Sequence, residues 1–321
     1  MSPTTEELNR EKASVARLSI LSNSALVVLK LIVGLLIGSV SVLSEAIHSG
    51  IDLIAALIAY FSVRKSSEPP DQEHTFGHGK LENISGTIEA LLIFAAALFI
   101  IWEAYQKILH GVELENLGLG IGVMALSSVV NYFVSRRLMA TARRTESIAL
   151  EADAWHLRTD VLTSLGIFAG LAIIWLVGTF TPYDVKFLDP VFAIVVALFI
   201  LRAALELILK SAKDLMDAGL PAEETGEIER IIKEHSARYA GFHELRTRRS
   251  GSDRFIDLHL VVSRELNVEQ AHALADHIEE DIKGRFPRAS VIIHVEPCDN
   301  KDSCLSCQAS DCSRNGTAPE E

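Results

Sequence analysis

The sequence predicts a membrane α-helical domain of six transmembrane helices followed by a small α+β domain. Three observations carry this. The 321 residues are 49% hydrophobic with a mean hydropathy of +0.26, too apolar for a soluble chain of this size and too charged for one that is membrane throughout. Apolar runs recur at lengths of roughly 20 residues, enough to cross a hydrocarbon core of about 30 Å. After Lys213 the apolar runs stop, and short periodic segments follow.

The runs fall near residues 17–38, 40–63, 83–109, 117–137, 148–178 and 188–210. The first begins at Arg17, holds Asn23 and Lys30 and lacks an A-x-A cleavage pattern, so it is expected to stay in the mature protein. Arg10, Lys12 and Arg17 precede the first run, and Arg64, Lys65 and Lys80 follow the second. Arg136, Arg137, Arg143 and Arg144 follow the fourth, and Lys210 and Lys213 the sixth, whereas the opposite connections offer only Lys186. The positive-inside rule therefore puts both termini in the cytoplasm.

Beyond Lys213, residues 221–237 and 268–284 have helical spacing, and 243–250, 254–263 and 289–296 read as strands, the first two flanking the turn SGSD. This α-β-β-α-β order suits a sheet with helices on one face. Ile256, Leu258, Leu260 and Val262 share one side of their strand, leaving Asp257 and His259 on the other. The expected division is a cytoplasmic segment 1–16, a membrane domain 17–212, a cytoplasmic α+β domain 213–297 and a disordered tail 298–321. A net charge of −12 argues against a nucleic-acid partner. All four cysteines follow residue 297, so no disulfide framework holds the body together.

Chemistry enters with SEAIHSGIDLI and AWHLRTDVL. His48 with Asp52, and His156 with Asp160, are i, i+4 pairs, each projecting from one helix face. A single such pair reads equally as a hydrogen bond that helps helices pack. Two identical pairs in two apolar spans instead make an N₂O₂ set suited to Zn²⁺ at about 2.0 to 2.2 Å, with two carboxylates neutralising the ion at membrane depth. Neither histidine has the neighbouring glutamate of HExxH, so no metalloprotease is expected. Gly79, Lys80 and Leu81 lack the upstream glycine and the following Ser or Thr of a phosphate-binding loop, so no ATP-driven pump is expected. Secondary transport remains, with a membrane-bound metal sensor as the alternative.

With these residues in view, the stretch from about 15 to 297 resembles the cation diffusion facilitator family. The resemblance implies six spans, a cytoplasmic ferredoxin-like domain, a homodimer in the inner membrane, and proton-coupled export of a divalent cation. It maps the transport site onto His48, Asp52, His156 and Asp160, and a histidine at the first position implies a preference for Zn²⁺ over a broader range that takes in Cd²⁺; export of Cd²⁺, Fe²⁺ or Mn²⁺ stays open. HTFGHGK implies a second zinc site from Asp71, His74 and His78; as bare sequence these are equally three polar residues in a loop. HELRTRRSG, FIDLHLVV, QAHALAD and IIHVEP imply a binuclear zinc site that bridges two subunits through His243, His259, His272, His294 and Glu296, with Glu296 standing where an aspartate is common. Lys80 and Asp217 match a charge pair that links loop and cytoplasmic domain in the family, and are otherwise two surface charges. Gly34 with Gly38 and Gly166 with Gly170 have the GxxxG spacing of close helix approach. Cys298, Cys304, Cys307 and Cys312 read as solvated reduced thiols, with metal capture as the alternative.

Overall fold

The computed structural model describes residues 5–37, 40–110, 118–180 and 188–298. The chain divides into two compact units, Met1–Leu215 and Met216–Glu321. The first holds six long helices among the described residues: α1 (Thr5–Ile37), α2 (Val40–Ser66), α3 (Lys80–His110), α4 (Gly118–Thr145), α5 (Ile148–Phe180) and α6 (Leu188–Leu215). Among the described residues, four stretches, Glu6–Leu36, Ala46–Ser66, Lys80–Gln106 and Pro190–Leu215, are long and apolar enough to cross a membrane.

The packing is that of a membrane bundle. Small side chains fill the seams, with Ala55, Ala59, Ala90, Ala97, Ala149, Ala197 and Ala204 buried, while Leu35, Phe61, Phe133 and Phe199 are more than 60% exposed. Lipid tails solvate such an outer surface as well as a protein core does, so helix association rests on close backbone approach at small residues. A Cβ added at Gly86 on α3 would lie 2.5 Å from Ile148 Cγ2 on α5, and one at Gly166 on α5 would lie 2.9 Å from Val196 Cγ2 on α6. Gly34 meets Leu43 of α2 at 2.9 Å in the same way. Gly38 lies outside the described residues.

α1 starts well before its apolar run. Lys12 is buried there, and its Nζ donates to Glu82 Oε1 of α3 at 2.8 Å. Ser66 Oγ at the end of α2 donates to the same oxygen at 2.8 Å, and the Ser147 hydroxyl between α4 and α5 donates to Oε2. Glu82 thus gathers four elements at one end of the bundle, in a pair whose breaking would strand a buried charge.

The second unit holds α7 (Ala222–Glu234), β1 (Gly241–Ser250), β2 (Asp253–Val262), α8 (Val268–Arg285) and β3 (Ala289–Pro297). Its sheet order among the described residues is β1-β2-β3, antiparallel between β1 and β2 and parallel between β2 and β3. The reversal from β1 to β2 takes two residues, and Gly251 supplies the positive φ of 59° that so tight a turn demands. α8 opens on a capping box, Asn267 accepting from Gln270 N while the Gln270 side chain accepts from Asn267 N. Ile256, Leu258, Leu260 and Val262 pack with Ile228, Ile232, Leu274, Ile278 and Ile282 from the two helices. Both helices therefore cover one face of the sheet, and the other is left to the polar residues that alternate with this core.

Candidate metal centres

Between α2 and α5, Asp52, His156 and Asp160 each offer a ligand atom, and the three atoms lie within 4.8 Å of one another. His156 Nε2 stands 2.9 Å from Asp52 Oδ1, and all three side chains sit in or at the edge of the interior. His48 is set apart from this trio. Its Nε2 lies 4.0 Å from Asp52 Oδ1 and its side chain is 53% exposed. It lines, with Asp52 and Asp160, a cavity of ≈ 70 Å³ whose other walls include Lys30, Ser49, Ser127 and Asn131.

Two of those residues are site features that the i, i+4 pairing did not bring out. Asn131 of α4 donates from Nδ2 to Asp160 Oδ2 at 3.3 Å, the kind of outer hydrogen bond that aims a ligating carboxylate. Lys30 of α1 donates from Nζ to Ser49 Oγ at 2.8 Å. The signal for both was present: each is a polar residue inside an apolar span, where such residues are costly unless they serve a site.

The connection between α2 and α3 brings Asp71, His74 and His78 together, again with one ligand atom from each within 4.8 Å of the others. Asp71 Oδ2 is 3.2 Å from His78 Nε2 and Oδ1 is 3.3 Å from His74 Nδ1. The turn is held by Asp71 Oδ1, which accepts from the backbone N of Glu73 at 2.9 Å and of His74 at 2.6 Å, and by Gly77 at a φ of 81°. The His74 amide bond leads the interactions that hold the Asp71 carboxyl below its ordinary range, so it is ionised and ready to ligate. His78 is 5% exposed, and neither ring nitrogen has a hydrogen-bond partner. A buried imidazole that faces the Asp71 carboxylate at 3.2 Å without a hydrogen bond to either ring nitrogen fits a site built for a metal.

In the second unit, strand register does the gathering. His243 pairs with His259 across β1 and β2, and His259 with His294 across β2 and β3, so three histidines stand in one row across the sheet. Glu296 lies two residues beyond His294 along β3, beside that row. Its Oε1 is 2.8 Å from His259 Nδ1 and 3.6 Å from His294 Nε2, and its Oε2 is 3.0 Å from His243 Nε2. Partial desolvation pushes the Glu296 carboxyl up, but the bonds from His259 and His243 outweigh it and hold it low. A bulge in β1 between His243 and Arg246 puts Glu244 at a φ of 50° and brings its Oε2 to 4.0 Å from His259; bulges commonly re-aim side chains at sites in this way. No pattern of alternation marks it.

His272 does not join this row. It lies on α8, on the face of the sheet opposite the histidines, 73% exposed and 3.5 Å from Asp276 Oδ2. Cys298 is buried at the end of β3, where its N donates to Val262 O at 2.8 Å; Cys304, Cys307 and Cys312 lie outside the described residues. Lys80 Nζ donates to Leu215 O at 3.5 Å in the first unit, and Asp217 accepts from Arg248 at 3.3 Å in the second.

Comparison with known proteins bears on the whole arrangement. Residues 16–216 match the family model described as the cation efflux transmembrane domain, and residues 220–298 match the one described as cation efflux protein, cytoplasmic domain. The cation-efflux pump FieF of Salmonella agona (strain SL483) is 34% identical over 275 residues, 86% of this chain and 89% of that protein. FieF of Salmonella newport (strain SL254) is similar to the same extent, 34% over 275 residues. A solved structure of a candidate zinc transporter, CzrB, in its Zn form is 39% identical and covers 26% of this chain and 96% of its own, with a TM-score of 0.25.

Proposed function

The chain belongs to the cation efflux family, the cation diffusion facilitators, and from that premise we propose that it exports a divalent cation, Zn²⁺ first, from the cytoplasm in exchange for protons. The observation that carries this reading is the convergence of Asp52, His156 and Asp160, one ligand atom each within 4.8 Å, inside a bundle of apolar helices. Two oxygens and a nitrogen are ordinary zinc donors, and His48, on the same face of α2 one turn before Asp52, completes an N₂O₂ set by closing the last gap of 4.0 Å. Zinc is the cargo of this site, held in one state and released in the other.

The donor chemistry supplies the coupling. Imidazole must be neutral and carboxylate ionised to bind metal, so loading releases protons and reprotonation expels the ion. A site that opens alternately to the two sides then exchanges one for the other. The loop residues Asp71, His74 and His78 would hold a second zinc close to where α2 ends and α3 begins. In the cytoplasmic domain, His243, His259, His294 and Glu296 would hold structural zinc, with His272 contributed by a second copy of the chain, since within one copy it lies behind the sheet. A homodimer of multi-pass membrane subunits with cytoplasmic termini is the assembly this supports.

The test is zinc flux in oriented proteoliposomes, with pH varied on one side at a time and the membrane potential clamped. Acid on the far side should accelerate efflux by protonating the ligands, and the same acid on the cytoplasmic side should inhibit by blocking loading. Zinc flux indifferent to the pH gradient would leave a uniporter, and no flux for any divalent ion would leave a sensor.

A further inference from the structure

We propose that the Lys30 ammonium weakens cargo binding at the intramembrane site, so that the ion is released rather than trapped. This rests on the reading of Asp52, His156 and Asp160 as the transport site. Lys30 is 6% exposed, lies within the first membrane span and donates to Ser49 Oγ at 2.8 Å. It lines the same ≈ 70 Å³ cavity as His48, Asp52 and Asp160. A fixed cation is an unexpected neighbour for a cation's binding site, and an ionisable side chain at membrane depth is costly to keep unless it serves one.

Charge arithmetic gives it a role. With neutral imidazoles, two carboxylates and a divalent ion cancel. The fixed ammonium repels a divalent ion held by those carboxylates, whereas in the empty cavity the same ammonium offsets part of the carboxylate charge. Lys30 therefore stabilises the empty site and destabilises the loaded one, and in a low-dielectric interior each effect is amplified. A carrier gains nothing from holding its cargo more tightly than turnover requires, since binding that is equal along the whole cycle lowers KM without raising kcat. The bond to Ser49, one residue after His48 on α2, keeps the ammonium beside the helix that carries two of the four ligands.

The experiment compares full-length wild type with Lys30→Met, Lys30→Gln and Lys30→Arg, using zinc as the probe. Binding at the intramembrane site is read by calorimetry as the heat lost in Asp160→Ala, and transport by KM and kcat for zinc in proteoliposomes. Lys30→Met and Lys30→Gln should bind zinc about tenfold more tightly or better, on the order of one buried charge interaction, with KM and kcat both lowered. Lys30→Arg, which keeps the charge, should stay near wild type. Lys30→Gln retains a donor for Ser49 and stands in if Lys30→Met does not fold. Unchanged or weaker zinc binding in the neutral variants, or an arginine variant that behaves like the neutral ones, overturns the proposal. Absence of any Asp160-dependent binding in the wild type instead overturns the assignment of the site.

Discussion

His156 Nε2 and Asp52 Oδ1 stand 2.9 Å apart, joining α5 to α2 in the interior of the helical bundle. The first prediction follows from this pair and from Asp160 beside it. Asp52→Ala or Asp160→Ala should abolish zinc flux while leaving a membrane-inserted protein with an unchanged size-exclusion profile, because on the proposed reading the group removed is a ligand and not a core filler. Wild-type flux in either variant would show that the site is elsewhere.

His48 is the half-exposed member of the set, so its replacement should be tolerated structurally, and on the proposed reading it acts on selection. His48→Asp exchanges a borderline nitrogen for a hard oxygen and adds a negative charge, which should broaden the metals accepted. Competition between zinc and cadmium in flux assays measures it, and unchanged discrimination would remove His48 from a selective role.

For the cytoplasmic domain, the row of histidines predicts metal-linked assembly. His243→Ala combined with His294→Ala should reduce zinc-dependent dimerisation of the segment 216–298, since an ion that bridges two copies favours the assembled state by mass action. The segment carries its own hydrophobic core. Sedimentation with and without zinc reads the outcome; equal zinc-dependent association in the double variant would count against a bridging site.

A fourth prediction concerns acid stability of the same segment. Burial pushes the Glu224 carboxyl up, but Arg254 Nε at 2.7 Å and Arg249 Nη2 at 2.5 Å outweigh it and hold the group below its ordinary range. A carboxyl depressed in the folded state contributes stability that is complete above its unfolded value, about 4.3, and is lost as pH falls through the folded one. Glu224→Gln should therefore lower the melting temperature near neutral pH by roughly 4–8 °C, about 1 kcal/mol, and flatten its fall below pH of about 4. Melting curves at stepped pH that superpose for the two proteins would exclude the linkage.

The last concerns helix packing. A methyl group at Gly86 would press on Ile148 Cγ2 at 2.5 Å, a contact that side chains do not tolerate without a shift of helix. Gly86→Ala should destabilise the detergent-solubilised bundle by roughly 1–3 kcal/mol, seen as a lower unfolding temperature, whereas Gly122→Ala, with nothing within 4 Å, should not.

Much of this was legible beforehand because the signals are local. The i, i+4 spacing of His48 with Asp52 and His156 with Asp160 puts each pair on one helix face whatever the helices pack against. The alternation of Ile256, Leu258, Leu260 and Val262 puts His259 on the opposite side of the sheet for the same reason. The buried hub at Glu82 was not legible. Lys12, Ser66 and Ser147 reach it from separate elements, and in the sequence Lys12 is one more basic residue ahead of an apolar run.

By itself the sequence determined the apolar runs, the change to an α+β unit after Lys213 and the residue types able to ligate zinc, since hydrophobic length, periodicity and donor chemistry belong to short stretches of chain. Only the tertiary structure decided which of those donors meet. It set His48 apart from Asp52, His156 and Asp160, brought Lys30 and Asn131 to the cavity wall, and lined up His243, His259 and His294 by strand register while leaving His272 behind the sheet. Those meetings depend on how closely helices approach at Gly86 and Gly166 and on which strands pair. Such distances are fixed by packing between residues far apart in the chain, which no local pattern encodes.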